Sequence, residues 1–415
     1  MAKLKAPRGT QDILAQDARH WQLIESTASK IFQAAGFNEI RSPIFESTEL
    51  FSRSVGEDSD IVNKEMYTFT DRSDRSLTLR PEATASIVRA YIEHALDRQG
   101  LPQKLWYRGP MFRYERPQTG RYRQFHQIGI EAIGAEAGQI DLEVIQLGIT
   151  LLEQLGLGDL ILYINTLGNQ ASRQAYTQAL KDFLGSVQED VCEDCQRRYE
   201  QNPLRALDCK VPADQEIYQG APSIHDYLDD ESKEIWQQTL AGLEKLEIKY
   251  KIDPKLVRGL DYYSHCVFEI KSTSKELGAQ NTVLAGGRYD KLIEDLGGKT
   301  TPAVGWALGI ERLASLIPAA GLDGGLFIIS DDALAAQLLA CKLRQDNKQE
   351  LQVDFDYNAS KFNKQLERAV KRGYDWALFY MSDERESGKY KIKNLRKSVE
   401  HEDLSYQDLV KILSP

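Results

Sequence analysis

At 415 residues, 42% hydrophobic and 27% charged, the chain predicts two or three soluble globular units, and no run approaches the ~18 apolar residues of a membrane span. Five cysteines and a basic start without an apolar stretch (Met1-Ala2-Lys3-Leu4-Lys5) argue against a disulfide scaffold or a signal peptide and for a reducing, cytoplasmic setting. A net charge of −10 runs against a nucleic-acid partner, whose phosphates need Lys and Arg, but the deficit lies wholly before Gly325, so composition neither demands nor forbids RNA.

Residues 17–35 read as a helix closed by Gly36, and residues 39–45, around Pro43, as extended chain. Residues 66–69 and 77–80 read as a hairpin. Residues 104–108 and 123–131 read as strands flanking a charged loop. From about 169 to 250 the pattern is mostly helical and marks a candidate insertion. Residues 285–290 (Ala-Gly-Gly-Arg-Tyr-Asp) read as a glycine turn leading into a helix, and residues 307–316 as helical. Strands joined to near neighbours, with helices set apart, predict an α+β domain on an antiparallel sheet over residues 1–320.

Pro318 and the glycines at 321, 324 and 325 read as a linker. Beyond it strands at 326–329, 351–357 and 376–380 alternate with helices at 333–347 and 362–372, which predicts a small α/β domain, residues 321–415, on a largely parallel sheet. Basic residues cluster there at Lys361, Lys364, Arg368, Lys371 and Arg372, and again at Lys389, Lys391, Lys393, Arg396 and Lys397. A solvated helix face and a solvated strand account for both clusters.

The segments that carry chemistry lie in the first domain. Residues 124–131 alternate as a half-buried strand does, and Gln127 and Glu131 leave it on the same face. Upstream, residues 113–123 hold Arg113, Arg116, Arg121 and Arg123, whose guanidinium forks suit bidentate phosphate binding. Arg258, Asp261, Tyr262 and Tyr263 bring a cation, a carboxylate and two phenols together. No Walker lysine or spaced dinucleotide fingerprint accompanies the glycine segment, and no nucleophile–base pair stands out.

Together these segments resemble the class II aminoacyl-tRNA synthetases and, within them, the histidyl-tRNA synthetase family. Residues 109–131 resemble the second class motif, residues 302–313 the third, and the segment around Pro43 the first, a dimer-interface element. The signatures specific to histidine are residues 256–268 (LVRGLDYYSHCVF) and 285–290 (AGGRYD).

The resemblance implies a class II synthetase-like antiparallel sheet core with helices, and a C-terminal α/β anticodon-binding-like domain. It implies activation of L-histidine with ATP and Mg²⁺, transfer of histidine to its tRNA, and a homodimer. Arg113, Arg258 and Arg312 would then be catalytic, with Glu115 joining them around ATP. Glu82, Thr84, Gln127, Glu131, Tyr262 and Tyr263 would bind histidine, and Glu82 is read as a ligand residue rather than a helix N-terminal acid. Arg116, Gln118, Arg121 and Arg123 would meet the acceptor end of the tRNA. Residues 358–366 keep the lysines and the Lys-Gln-Leu core of the family's anticodon domain but lack the glycine or arginine that often opens that loop, so the resemblance identifies no anticodon-reading residues.

The rival resemblance is to the regulatory paralogue that serves ATP phosphoribosyltransferase, which binds histidine without acylating anything. That paralogue typically lacks the anticodon domain and loses activation arginines, whereas Arg113, Arg258 and Arg312 all stand here. The tyrosine pair and Glu131 speak against synthetases for proline, threonine or glycine, and the intact arginines against a non-catalytic RNA-binding protein. No metal ligand is assigned. Cys192-x-x-Cys195 with Cys209 could be three zinc ligands or three reduced thiols, with His225 a candidate fourth ligand.

Overall fold

The computed structural model describes residues 3–413 except 57, 58, 60, 119, 261, 274–280, 318–324 and 347–350. Asp261 and most of the expected linker therefore lie outside the described residues. The chain divides into two compact units, Met1–Pro318 and Ala319–Pro415. The strands of the first are β1 (Asn38–Glu39), β2 (Phe45–Ser47), β3 (Tyr67–Thr70), β4 (Ser76–Leu79), β5 (Gln103–Phe112), β6 (Gln124–Ile133), β7 (Leu160–Thr166), β8 (Tyr250–Ile252), β9 (Ser264–Ser272), β10 (Thr282–Arg288) and β11 (Ala303–Gly309).

Eight of these form one sheet in the order β1-β5-β6-β11-β10-β9-β7-β8. Its neighbours are antiparallel except at the two edges, where β1 joins β5 and β8 joins β7 in parallel. Period-two alternation decides what each face carries. On β6, Ile128, Ile130 and Ala132 turn into the main core, which includes Phe32 and Trp106. Gln127 and Glu131, which alternate with them, take the opposite face. The helix Ala15–Ala34 covers the core face by placing Ile24, Ala28, Ile31 and Phe32 on one buried stripe.

Two sequence expectations change here. Residues 285–288 belong to strand β10 rather than to a turn, with a short helix at Leu292–Asp295 after them, and residues 303–309 are strand β11, followed by the helix Ile310–Ala314. The glycines of β10 serve close approach: a Cβ on Gly286 would lie 2.2 Å from the Gly305 carbonyl oxygen and 2.5 Å from the Trp306 Cβ. A small antiparallel sheet, β2-β4-β3, holds the 66–80 hairpin. Residues 170–245 are helical turns and helices.

The second unit holds a sheet of β12 (Leu326–Ile329), β13 (Val353–Phe355), β14 (Trp376–Phe379), β15 (Tyr390–Asn394) and β16 (Glu400–Leu404), in the order β13-β12-β14-β15-β16. The sheet is mixed rather than largely parallel. Helices long enough for crossovers join β12 to β13 and β13 to β14, whereas only the short helix Ser382–Ser387 separates β14 from β15, and the chain returns antiparallel. Several of the clustered basic residues are paired within the unit. Arg368 meets the buried Asp356 at 2.9 Å, Arg372 meets Asp354 at 3.0 Å, and Lys391 meets Glu400 at 2.7 Å.

Candidate active site

A cavity of about 990 Å³ opens on the sheet face that carries Gln127 and Glu131. Eleven of the residues singled out from sequence line it: Glu82, Thr84, Arg113, Glu115, Arg121, Gln127, Glu131, Arg258, Tyr262, Tyr263 and Arg312. They come from β6, from the turn after β4, from the loops flanking β5 and β9, and from the helix after β11. Only the assembled sheet brings such distant stretches together.

One end is built around a buried carboxyl. Glu131 accepts a hydrogen bond from the Thr84 hydroxyl at 2.8 Å and one from the Tyr289 hydroxyl at 2.5 Å. Burial pushes its carboxyl up to about 8, against the pull of those two donors. Glu82 is buried nearby, and burial raises its carboxyl too. Its two oxygens accept the backbone N–H groups of Thr84 (2.6 Å) and Ala85 (2.9 Å), at the start of the helix Thr84–Glu93. Glu82 is thus the helix N-terminal acid that the resemblance set aside. A carboxylate offers about four lone-pair positions, so this does not use up the group. Burial holds the phenols of Tyr107, Tyr262, Tyr263 and Tyr289 above their ordinary value, so each is an O–H donor.

The same cavity wall also carries three arginines. Arg113 donates from Nε to the Pro81 carbonyl at 2.8 Å and lies 5.3 Å from the centre of the Phe125 ring. Arg258 is ion-paired with Glu269, and its Nε is buried without a hydrogen-bond partner among the described residues. Burial favours the neutral Glu269 acid, but Arg258 and then Lys271 outweigh it and hold the carboxyl below its ordinary value. Arg312 donates to the Thr282 carbonyl at 2.6 Å. Burial, and after it the charge of Arg121, lowers the Arg312 guanidinium below its usual range. Cations held this close together are stabilised by an anion between them.

The scaffold behind the arginines is rigid. Glu311 accepts from the backbone N–H of His126 at 3.0 Å and contacts its ring at 3.0 Å, tying the helix Ile310–Ala314 to β6. Arg80 donates from Nε to the Pro110 carbonyl (2.9 Å) and from Nη1 to Ser42 (2.9 Å to Oγ), linking the turn before Glu82 to the segment at Pro43. Arg288 of the AGGRYD segment is fully buried. It pairs with Asp141 (2.8 Å) and Asp290 (3.0 Å), as a strut rather than a ligand group.

Arg116, Gln118 and Arg123 do not line the cavity. Gln118 and Arg121 bridge at the tip of the β5–β6 loop, with Gly120 at φ +72°, and Arg116, Gln118 and Arg121 are exposed there. Arg123 stacks its guanidinium 3.8 Å from the centre of the Tyr114 ring and donates from Nε to the Glu115 carbonyl (3.3 Å), bracing the base of the loop. The sequence reading gave no role to Tyr107, Glu269, Thr282, Tyr289 or Gly305, all on the cavity wall. Tyr289 and Gly305 stand inside quoted motifs. Glu269 carried a weaker sign, as an acid between the apolar Phe268 and Ile270.

Comparison with known proteins agrees with this geometry. The family described as Histidyl-tRNA synthetase matches residues 9–313, and the one described as Anticodon binding domain matches residues 326–414. Among curated relatives, the histidine–tRNA ligase of Synechococcus elongatus is 49% identical over 99% of this chain and 94% of its own length. That of a second Synechococcus strain is 48% identical over the same shares. Among solved structures, apo histidyl-tRNA synthetase of S. aureus superposes with a TM-score of 0.80 at 38% identity, covering 100% of both chains.

Proposed function

The chain belongs to the histidyl-tRNA synthetase family and is an ATP-dependent histidine–tRNA ligase, and from that premise we propose how its residues divide the work. The reaction starts with attack of the histidine carboxylate on the α-phosphorus of ATP, which releases pyrophosphate. A carboxylate nucleophile needs no general base. Fixed positive charge around the phosphorus is what the transition state requires. Arg113 and Arg312 clamp the ATP phosphates, with Glu115 beside them, and Arg258 reaches the α-phosphate and the substrate carboxylate. The observation that supports this division is that three arginines and the buried Glu131 carboxyl line one cavity, with Arg258 beside Tyr263.

At the carboxyl end, Glu131 takes one imidazole nitrogen and Tyr263 the other, with Tyr262 packed against Tyr263 at 4.7 Å between ring centres. A substrate without the two ring nitrogens leaves those buried groups unpaired, which discriminates by ~10⁴ or more. Glu82, Thr84 and Gln127 receive the ammonium group. Mg²⁺, when bound, would neutralise charge on the ATP phosphates. Glu115 and Glu269, the wall carboxylates that would share in holding it, are each engaged with an arginine (Arg121 at 3.0 Å, and Arg258), so the nucleotide phosphates would be its chief ligands.

Arg116, Gln118 and Arg121, exposed at the loop tip, and Arg123 at its base meet the acceptor end of the tRNA in the transfer step, and the second unit binds the anticodon. The first-motif segment leaves Ile44 and Phe45 exposed, and Phe69 of β3 is exposed with its ring 6.3 Å from that of Phe45, apolar surface that supports a homodimer. No helix among the described residues is long and apolar enough to cross a membrane, in keeping with the proposed work in the cytoplasm. The deciding experiment is ATP–pyrophosphate exchange with each of the twenty amino acids, for the wild type and Arg258→Ala. Exchange with histidine alone, reduced ~10²- to 10³-fold in the variant, is expected. Saturable histidine binding with no exchange would instead mean a histidine sensor.

A further inference from the structure

Among residues 170–245, Cys192, Cys195, Cys209 and Asp214 offer ligand atoms within 4.8 Å of one another. Cys192 is the N-cap of the helix Glu193–Gln201 and Cys195 lies in its first turn. Cys209 closes the turn Pro203–Asp208, and Asp214 sits in the helix Pro212–Ile217. His225, the fourth ligand considered from sequence, packs its ring against Trp236 (5.4 Å) and is not in the group.

We propose that these four residues form a structural site for a soft divalent cation, zinc, held as Cys₃Asp. Thiolate ligands select zinc, and four-coordinate closure is the rule for structural sites. Tetrahedral bonds of ~2.3 Å to sulfur and ~2.0 Å to oxygen put two sulfurs ~3.8 Å apart and a sulfur and an oxygen ~3.5 Å apart. The Cys192 and Cys209 sulfurs are 3.9 Å apart, and the Cys209 sulfur lies 3.2 Å from Asp214 Oδ2.

The surroundings are those of bound thiolates. The backbone N–H of Val211 donates to the Cys209 sulfur at 3.4 Å, and that of Cys192 to Asp214 at 3.2 Å. Two of the sulfurs sit at a helix N-terminus, where backbone N–H groups favour negative charge. A separate observation points the same way. The buried Tyr218 hydroxyl has the Cys195 sulfur as its side-chain hydrogen-bond neighbour. A thiol sulfur is a poor acceptor, whereas a metal-bound thiolate would accept that O–H.

The site also has a position that gives it a consequence. Asp208, Cys209, Lys210, Gln215 and Tyr218 also line the active-site cavity. A cation fixing Cys209 and Asp214 would therefore fix that part of the cavity wall. Binding releases the thiol protons to solvent, so affinity falls at low pH.

The test is elemental analysis of full-length enzyme purified without chelators, together with cobalt(II) substitution of the same protein. One zinc per chain, freed when the thiols are modified, is expected, along with thiolate-to-cobalt charge-transfer absorption. Cys209→Ser and Asp214→Ala should each lose most of the metal, while Cys266→Ser, outside the group, keeps it. Should Cys209→Ser fail to fold, the wild-type cobalt spectrum decides. Substoichiometric zinc with no cobalt–thiolate absorption would overturn the proposal. So would a Cys192–Cys209 disulfide in the purified protein.

Discussion

Gly305 faces Glu131 across the β6–β11 pair so closely that a methyl group added there would lie 1.8 Å from the Glu131 Oε2 oxygen. Its backbone angle is one that other residues accept, so what selects glycine is the space the carboxyl occupies. Alanine would also approach the Ile130 carbonyl oxygen, at 2.4 Å, and must push the carboxyl off its position. Gly305→Ala should lower kcat/KM for histidine ~100-fold or more, by mispositioning the group that reads the imidazole. Exchange kinetics at varied histidine and varied ATP check this. A histidine KM equal to that of the wild type would refute it.

Tyr289 extends the same network. Its hydroxyl holds Glu131 Oε2 at 2.5 Å while its ring packs 5.6 Å from that of Tyr262. Tyr289→Phe keeps the ring and removes the donor. A hydrogen bond to a group that ionises is worth ~1.5–3 kcal/mol, so kcat/KM for histidine should fall ~10- to 100-fold. The KM for ATP should stay within about twofold, since the lost contact is at the imidazole end. Equal losses in both KM values would show a general loosening of the site instead.

Why the sequence exposed Glu131 and not Tyr289 has a physical reason. Alternation along β6 puts Gln127 and Glu131 on one face, and that regularity is local. The Tyr289–Glu131 and Arg258–Glu269 contacts depend on strand register, which local pattern does not encode. Register also turned the expected glycine turn at Gly286 into the centre of a strand, because the glycines answer to Trp306 and Gly305 on β11 rather than to a bend. In the second unit β12, β13, β14 and their helices were legible from buried apolar runs. The reversal into β15 was not, because a short polar helix gives no sign of the direction in which the chain returns. Glu82 meets the local rule for a helix N-terminus through two backbone N–H groups, and this leaves room for the ligand role that the resemblance implies.

Arg258 and Glu269 form a partly buried pair whose carboxylate also accepts from Thr282, and the Thr282 carbonyl holds Arg312. Glu269 therefore positions two of the three arginines without touching the reacting atoms. Arg258→Ala should lower exchange ~10²- to 10³-fold, the scale for losing one transition-state donor. Glu269→Gln keeps the shape and removes the charge, and its loss should be smaller, ~10-fold, and fall mainly on kcat. If Glu269→Gln matches wild type in kcat, the positioning role is wrong.

Arg288 is the counter-example within the histidine signature. Fully buried, with three carboxylate hydrogen bonds and one to the Ala135 carbonyl, it joins β10 to the helix Gln139–Gln154. Breaking such a pair from one side leaves Asp141 buried and unpaired, which costs ~3–5 kcal/mol. Arg288→Ala should unfold at markedly lower denaturant concentration. Arg288→Met with Asp141→Leu, which removes both charges, should recover much of the loss. Failure of the double variant to exceed the single one would mean that Asp141 is not the group left exposed to the penalty.

Glu131 also gives the folded protein a pH dependence with a definite sign. Burial first, offset in part by the Tyr289 and Thr84 donors, takes its carboxyl from an ordinary 4.5 to about 8. The folded chain thus holds a proton that the unfolded chain releases. Stability from the neutral carboxyl is fully present below about 4.5, declines as pH rises, and is lost once pH passes about 8. Glu131→Gln cannot titrate, and its carbonyl still accepts from Tyr289 and Thr84. The melting temperature of the variant, taken relative to wild type, should therefore climb between about pH 5 and about pH 8, by ~2 °C or more. Glu82, also raised by burial, is present in both proteins and largely cancels in the difference. Melting curves that stay parallel across that range would mean that Glu131 is already ionised in the folded state, and that the imidazole meets a full carboxylate at neutral pH.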